Sequence, residues 1–190
     1  TSGFVFGAIF AFLGDGPFVL MELLGASPKG YALWSAIPVA GFVVGSAITS
    51  RLTLRLGIDR MIVMGLGLAL ASVGTLAAFA VAGVFNFVVI IAPVTLVVMA
   101  MGLVFPNGTA GALAARPEIA GTASALLGFF QMGTAGFVIL ATSVWPSETQ
   151  VPMIAVMTGA VLIGSGVFAL GMLGRAAGRE PAATRTPLGQ

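Results

Sequence analysis

The sequence predicts an all-α integral membrane protein with six spanning helices, and two observations carry that prediction. Hydrophobic residues make up 58% of the chain and charged residues 7%, whereas an ordinary soluble domain carries roughly 25% charged residues. So little charge cannot build a polar shell over a core, so lipid must be the solvent for most side chains. The second observation is spacing. Apolar runs near the 20 or so residues that cross a bilayer recur six times, at about 3–24, 31–50, 61–83, 86–114, 119–144 and 152–174. This gives a transmembrane domain over 1–174 and a polar tail over 175–190.

Cys and His are both absent. That removes thiolate nucleophiles, disulfides, imidazole bases and most zinc sites, so the chain is read as a non-enzyme without metal or cofactor. The net charge of +2 is small, and its basic residues sit in short loops, which argues for orientation in a bilayer rather than nucleic-acid binding. Thr1-Ser2-Gly3 runs straight into apolar sequence without an initiator Met or basic leader, the expectation for a fragment of a longer protein.

With six spans both chain ends fall on one side. Arg51, Arg55, Arg60, Arg116, Arg175, Arg179 and Arg185 share that side and Lys29 lies opposite; the positive-inside rule makes it cytoplasmic. Tyr31, Trp34 and Trp145 then fall near the outer boundary, as aromatic anchors do.

In order, the first span contains Gly14-Asp15-Gly16-Pro17. An acid at the centre of a span costs on the order of 3 kcal/mol, so Asp15 is expected to face a cavity or a partner, and Pro17 to break the helix beside it. The second span carries Pro38, Gly41, Gly45 and Thr49 on one face, with Gly41 and Gly45 spaced for close helix packing. A basic, amphipathic loop, 51–60, follows; Asp59 is placed to open the third helix, where an acid complements the dipole. The third span is Gly- and Ala-rich and reads as structural. Pro93 and Pro106 predict two kinks in the fourth, with Asn107 directly after the second. The fifth carries Gly121, Ser124, Gly128, Gln131 and Ala135 as a small, polar stripe, with Gln131 either a helix-to-helix hydrogen bond or a cavity-lining group. The sixth, after Pro152, contains Gly159, Gly164, Gly166 and Gly171 without any charge.

Several of these residues together resemble a family. Gly102, Phe105-Pro106-Asn107, Ala112-Leu113, Pro117, Ala120-Gly121-Thr122-Ala123-Ser124-Ala125-Leu126, Gly128 and Gln131 are similar to the tenth and eleventh helices of major facilitator superfamily transporters of the Bcr/CflA drug-resistance type. Pro17-Phe18-Val19 with Tyr31, and Arg55-Leu56-Gly57 with Arg60, are similar to that family's seventh helix, the start of its eighth, and its loop between helices eight and nine. The resemblance implies one half of a twelve-helix bundle in the cytoplasmic (inner) membrane, multi-pass, with both ends of this chain cytoplasmic. Its implied partners are the bilayer, a missing N-terminal six-helix half or, failing that, a second copy, and a small-molecule substrate. The implied activity is export of drugs or small amphipathic compounds, driven by a proton gradient through alternating access. Asp15 departs from the family pattern, which has a small or polar residue there.

On this reading Asp15, Asn107 and Gln131 are the candidate substrate and proton-pathway residues. Pro17, Gly41, Gly45, Pro106, Gly121, Ser124 and Gly128 serve kinks and helix packing. A six-helix channel subunit that homo-oligomerises is the alternative; it requires a constriction, and no acidic ring or filter motif is visible. An intramembrane enzyme would need a base, and without His only Lys29 and a few carboxylates, mostly at helix ends, are left.

Overall fold

The fold is that of a computed structural model, which describes residues 1–114, 117–144 and 149–177. Six helices in it are long and apolar enough to span a membrane, and the described residues contain no strand. The chain is a multi-pass membrane protein.

Helix α1, Ser2–Pro17, ends in a local defect with a clear cause. Pro17 has no N–H, so the carbonyl of Leu13 loses its ladder partner. Phe18 N–H turns back onto Asp15 O, and Phe18–Leu23 continue as a π-helical turn, Leu24 N–H reaching Val19 O at 3.2 Å. Helix and turn together form the first span.

Helix α2, Pro28–Leu56, is longer than the expected 31–50 at both ends. Ser27 caps it, its Oγ accepting the Gly30 N–H at 3.1 Å, and Pro28 occupies the first position, where a missing N–H costs nothing. At the far end, most of the stretch expected to be a loop is helical. Arg51, Leu54 and Arg55 face outward while Leu52, Thr53 and Leu56 are partly covered, an amphipathic turn that nothing interrupts. The break is Gly57 alone, at φ +84° and ψ 160°, a conformation open to glycine and closed to side chains.

Helix α3, Ile58–Val81, has Asp59 in its first turn. Helix α4, Phe87–Ala114, contains both prolines and starts at Asn86, whose Oδ1 accepts the Val89 N–H at 2.9 Å. Helix α5, Ala120–Ser143, follows a short 3₁₀ turn at Pro117–Ile119. Helix α6, Val151–Ala177, takes in the start of the expected tail. Arg175 lies in its last turn, where a cation suits the dipole, and pairs with Asp59 at 3.3 Å. The remainder of the tail, with Arg179 and Arg185, lies outside the described residues, as do Arg116 and Trp145. Trp34 stacks on Phe87 of α4, centroids 5.1 Å apart and planes at 7°.

Packing follows a rule. The main interfaces are α2 with α4, α3 with α4, α1 with α5 and α1 with α6, followed by α3 with α6 and α1 with α4. Exchanging α1, α2 and α3 for α4, α5 and α6 reproduces this set. Each three-helix unit crosses the membrane an odd number of times, so the second runs opposite to the first, and the helix pairing is the one that inverted repeats produce. Contacts within a unit are few, and nearly all packing is between units. Helix α4 is the most buried span, and α2 and α5, equivalent under the exchange, are the least.

The α2–α4 seam shows why glycine is required. The buried residues of α2 are Pro38, Gly41, Gly45 and Thr49. A Cβ on Gly41 would meet Thr95 O at 2.7 Å, one on Gly45 would overlap Met99 O, and one on Gly102 would meet Phe42 O at 2.8 Å. In a bilayer, close contact of this kind replaces the hydrophobic drive. Polar bonds then lock it. Pro106 has no N–H for Gly102 O, and Thr49 Oγ1 supplies the missing donor at 2.9 Å.

Candidate functional site

The structure does not bring Asp15, Asn107 and Gln131 into one cluster. Asn107 is 1% exposed and bonded within the α2–α4 seam. Its Nδ2 donates to Leu103 O at 2.7 Å and its Oδ1 accepts from Thr53 Oγ1 at 3.0 Å. One edge of the residue reaches a cavity of about 320 Å³ at the end of the bundle holding Ser2, lined also by Ile58, Asp59, Phe168 and Arg175.

Gln131 is buried in the α1–α5 seam. A Cβ on Gly3 would stand 3.7 Å from its Cα, and its amide makes no side-chain hydrogen bond among the described residues. Phe129 and Phe130, its neighbours in sequence, are well exposed and border, with Phe4 and Phe137, a shallow groove of about 330 Å³.

Asp15 lies about 4 Å along the helix from the middle of the first span, Ser2–Leu23, at 1.5 Å per residue. It is half-buried and sits on the α5 side of α1 next to Gly14, which lies against Thr142, a residue 1% exposed. The neighbouring Gly14 makes room, since a Cβ there would lie 3.8 Å from Thr142 Oγ1. Helices α1 and α5 run parallel, Gly3 against Gln131, Gly7 against Thr134 and Gly14 against Thr142. Asp15 and Gln131 therefore touch one seam at two levels, about 16 Å apart along α5, from eleven residues of rise.

An aromatic face that the sequence reading did not single out runs along the other side of α1. Phe6 and Phe10 are 4.9 Å apart between ring centroids, and Phe6 stacks on Phe105 of α4 at 5.8 Å and 29°. These three rings are partly exposed and bridge the equivalent helices α1 and α4. At about 100° per residue, Asp15 points roughly 180° from Phe6 and 140° from Phe10. The acid and the aromatic face thus share a helix but not a surface. The i, i+4 spacing of Phe6 and Phe10 was available in the sequence; their partner across the bundle was not.

The small stripe of α5 divides. Gln131 and Ala135 are buried, but Gly121 and Ser124 are exposed, and a Cβ on Gly121 or Gly128 would meet nothing within 4 Å. Within this chain Gly121 and Gly128 therefore meet no neighbouring helix, and Gly121 and Ser124 face outward. No group of three Asp or Glu residues able to hold a metal ion occurs among the described residues.

Compared with protein families, with curated proteins and with solved structures, the chain gives no match.

Proposed function

We propose that this chain is one half of a proton-coupled secondary transporter, similar to the C-terminal half of a Bcr/CflA-type member of the major facilitator superfamily, that exports small amphipathic organic compounds by alternating access. The observation that carries this reading is the exchange of α1–α3 for α4–α6 in the packing. Inverted repeats are a recurrent ground plan of secondary transporters, and interrupted helices in equivalent positions of the repeats point to the binding site. Here prolines lie inside the equivalent helices α1, where Pro17 is followed by a π turn, and α4, at Pro93 and Pro106, and one more lies inside α2 at Pro38.

The cargo surface on this reading is the Phe6–Phe10–Phe105 face between α1 and α4. Stacked rings offer an apolar wall with negative ring faces, which suits flat organic cations. Asn107 stays a candidate only through the edge it turns to the cavity, since its amide already bonds Leu103 O and Thr53 Oγ1. Gln131 keeps an uncommitted amide, and Asp15 is the candidate carrier of the coupling proton, acting from the α5 side of α1.

The partner on this reading is the missing six-helix half, seated on α2 and α5. These are the least buried spans, and α5 turns the unpacked Gly121–Ser124–Gly128 stripe outward. Orientation follows from the arginines, which put the Gly57 end of the bundle in the cytoplasm.

The test uses the complete coding sequence in proteoliposomes with an imposed pH gradient and ethidium as probe. Saturable, gradient-driven ethidium movement is expected, abolished by Asp15→Asn. Linear flux indifferent to the gradient would instead indicate a channel, and gradient-driven transport unchanged in Asp15→Asn would remove the acid from the mechanism.

A further inference from the structure

Resting on the reading of Asp15 as the proton carrier, we infer that Thr142 is its positioning residue: a hydroxyl that exchanges donor for acceptor as Asp15 gains or loses a proton, holding the acid to α5 in both states. The first support is location. Thr142 is buried at 1% exposure in the parallel α1–α5 seam, where a Cβ on Gly14, the residue before Asp15, would lie 3.8 Å from its Oγ1, which puts the acid within a side chain's reach of the hydroxyl.

The second support is a surplus of donors. Thr142 Oγ1 lies 2.9 Å from Ile139 O, and Ser143 Oγ lies 2.8 Å from the same carbonyl. A carbonyl oxygen has two lone pairs. The backbone N–H of Ser143 stands four residues on, the ladder position for that oxygen. Two hydroxyls and the ladder N–H exceed what Ile139 O can accept, so the Thr142 proton can turn away without leaving the carbonyl unpaired.

The two states then balance. With Asp15 protonated, its O–H donates to Thr142 Oγ1, and the Thr142 proton stays on Ile139 O. With Asp15 ionised, the carboxylate can only accept, and the Thr142 proton turns to it while Ser143 Oγ keeps Ile139 O satisfied. One hydroxyl therefore serves both states of the acid in a place where an unpaired polar group is expensive. Few other groups compete. Helices α4 and α5 carry no charged residue; α6 carries only Arg175, at the far end and paired with Asp59; and the nearest charge on the first span itself is Glu22, seven residues on.

Infrared difference spectroscopy of the full-length protein in lipid reads this without any transport. Acidification should give a protonated-carboxyl C=O band that Asp15→Asn removes. In Thr142→Val, which keeps the shape and deletes the hydroxyl, that band should move to the higher frequency of a carboxyl without a hydrogen bond, and Thr142→Ala should do the same. Thr142→Ser should return it to the wild-type position. A band unmoved by Thr142→Val, or moved as far by Thr142→Ser, overturns the assignment, as does the absence of any band that depends on Asp15. Loss of gradient-driven ethidium movement with the Thr142-dependent band intact would count against the transporter reading alone.

Discussion

Two glycines of similar sequence surroundings have opposite standing. Gly45 sits where a Cβ would overlap Met99 O, and Gly128 where it would meet nothing within 4 Å. Gly45→Leu should therefore destabilise the six-helix chain by about 1–3 kcal/mol, the usual cost of forcing volume into a packed seam. Gly128→Leu should stay within about 0.5 kcal/mol, as surface changes do. Reversible unfolding in mixed micelles measures both. If the missing half docks on α5, Gly128→Leu should nonetheless reduce its co-purification with this one. The Asp59–Arg175 pair belongs to the same scale: both side chains are more than half exposed, so Arg175→Ala should shift stability by less than about 1 kcal/mol.

At this scale the sequence was only partly legible. The face of α2 could be read because Gly41, Gly45 and Thr49 fall four apart and small residues at that spacing have one common use. The stripe on α5 has the same spacing and looks outward, because spacing says that a helix could be approached and not which neighbour approaches. Asp15 stood out through the cost of its charge, whereas Thr142 did not, since threonine is cheap in a membrane helix when it bonds its own backbone. Asn107 was visible as a polar residue after a proline; that Thr53 would take up its amide oxygen depended on α2 running beyond residue 50.

At the scale of elements, the α2–α4 seam is a unit in which a backbone defect and a side chain complete each other. Thr49 donates to Gly102 O because Pro106 cannot. Thr49→Val should cost about 0.6–1.7 kcal/mol, the range for hydrogen bonds between membrane helices. Pro106→Ala restores a backbone donor, so Thr49→Val should cost less in that background. A double-mutant cycle on unfolding free energy measures the coupling, and additivity within about 0.3 kcal/mol would show that the two residues act independently. Element positions were the most legible feature of the chain, because apolar runs set span lengths directly. The extension of α2 to Leu56 was missed because arginines looked like loop residues, yet charges on the open side of a helix end leave its ladder intact and only Gly57 stops it.

For the whole molecule, the six spans fix which ends share a side, independently of the membrane concerned. Single cysteines at Ser50 and Glu118 should label from one side with an impermeant maleimide, and one at Val84 from the other. On the proposed orientation the first two are cytoplasmic. Labelling of all three from one side would dismiss the six-span arrangement. The inverted repeat itself was not legible: the two units have no visible likeness in sequence, since equivalence of position in a bilayer demands only similar apolar lengths.

That repeat also bears on how the protein is made. Because each unit packs on the other and hardly on itself, a ribosome that has delivered α1 to α3 has placed three helices in the bilayer with little to hold them together. The Gly41–Gly45–Thr49 face must wait in lipid until α4 is threaded, and Gly3, Gly7 and Gly14 of α1 until α5 arrives. Folding is therefore late and cooperative. Residues 1–84 made alone should yield loosely associated helices open to proteolysis, and supplying 85–190 as a separate chain should restore protection and allow the two pieces to be isolated together.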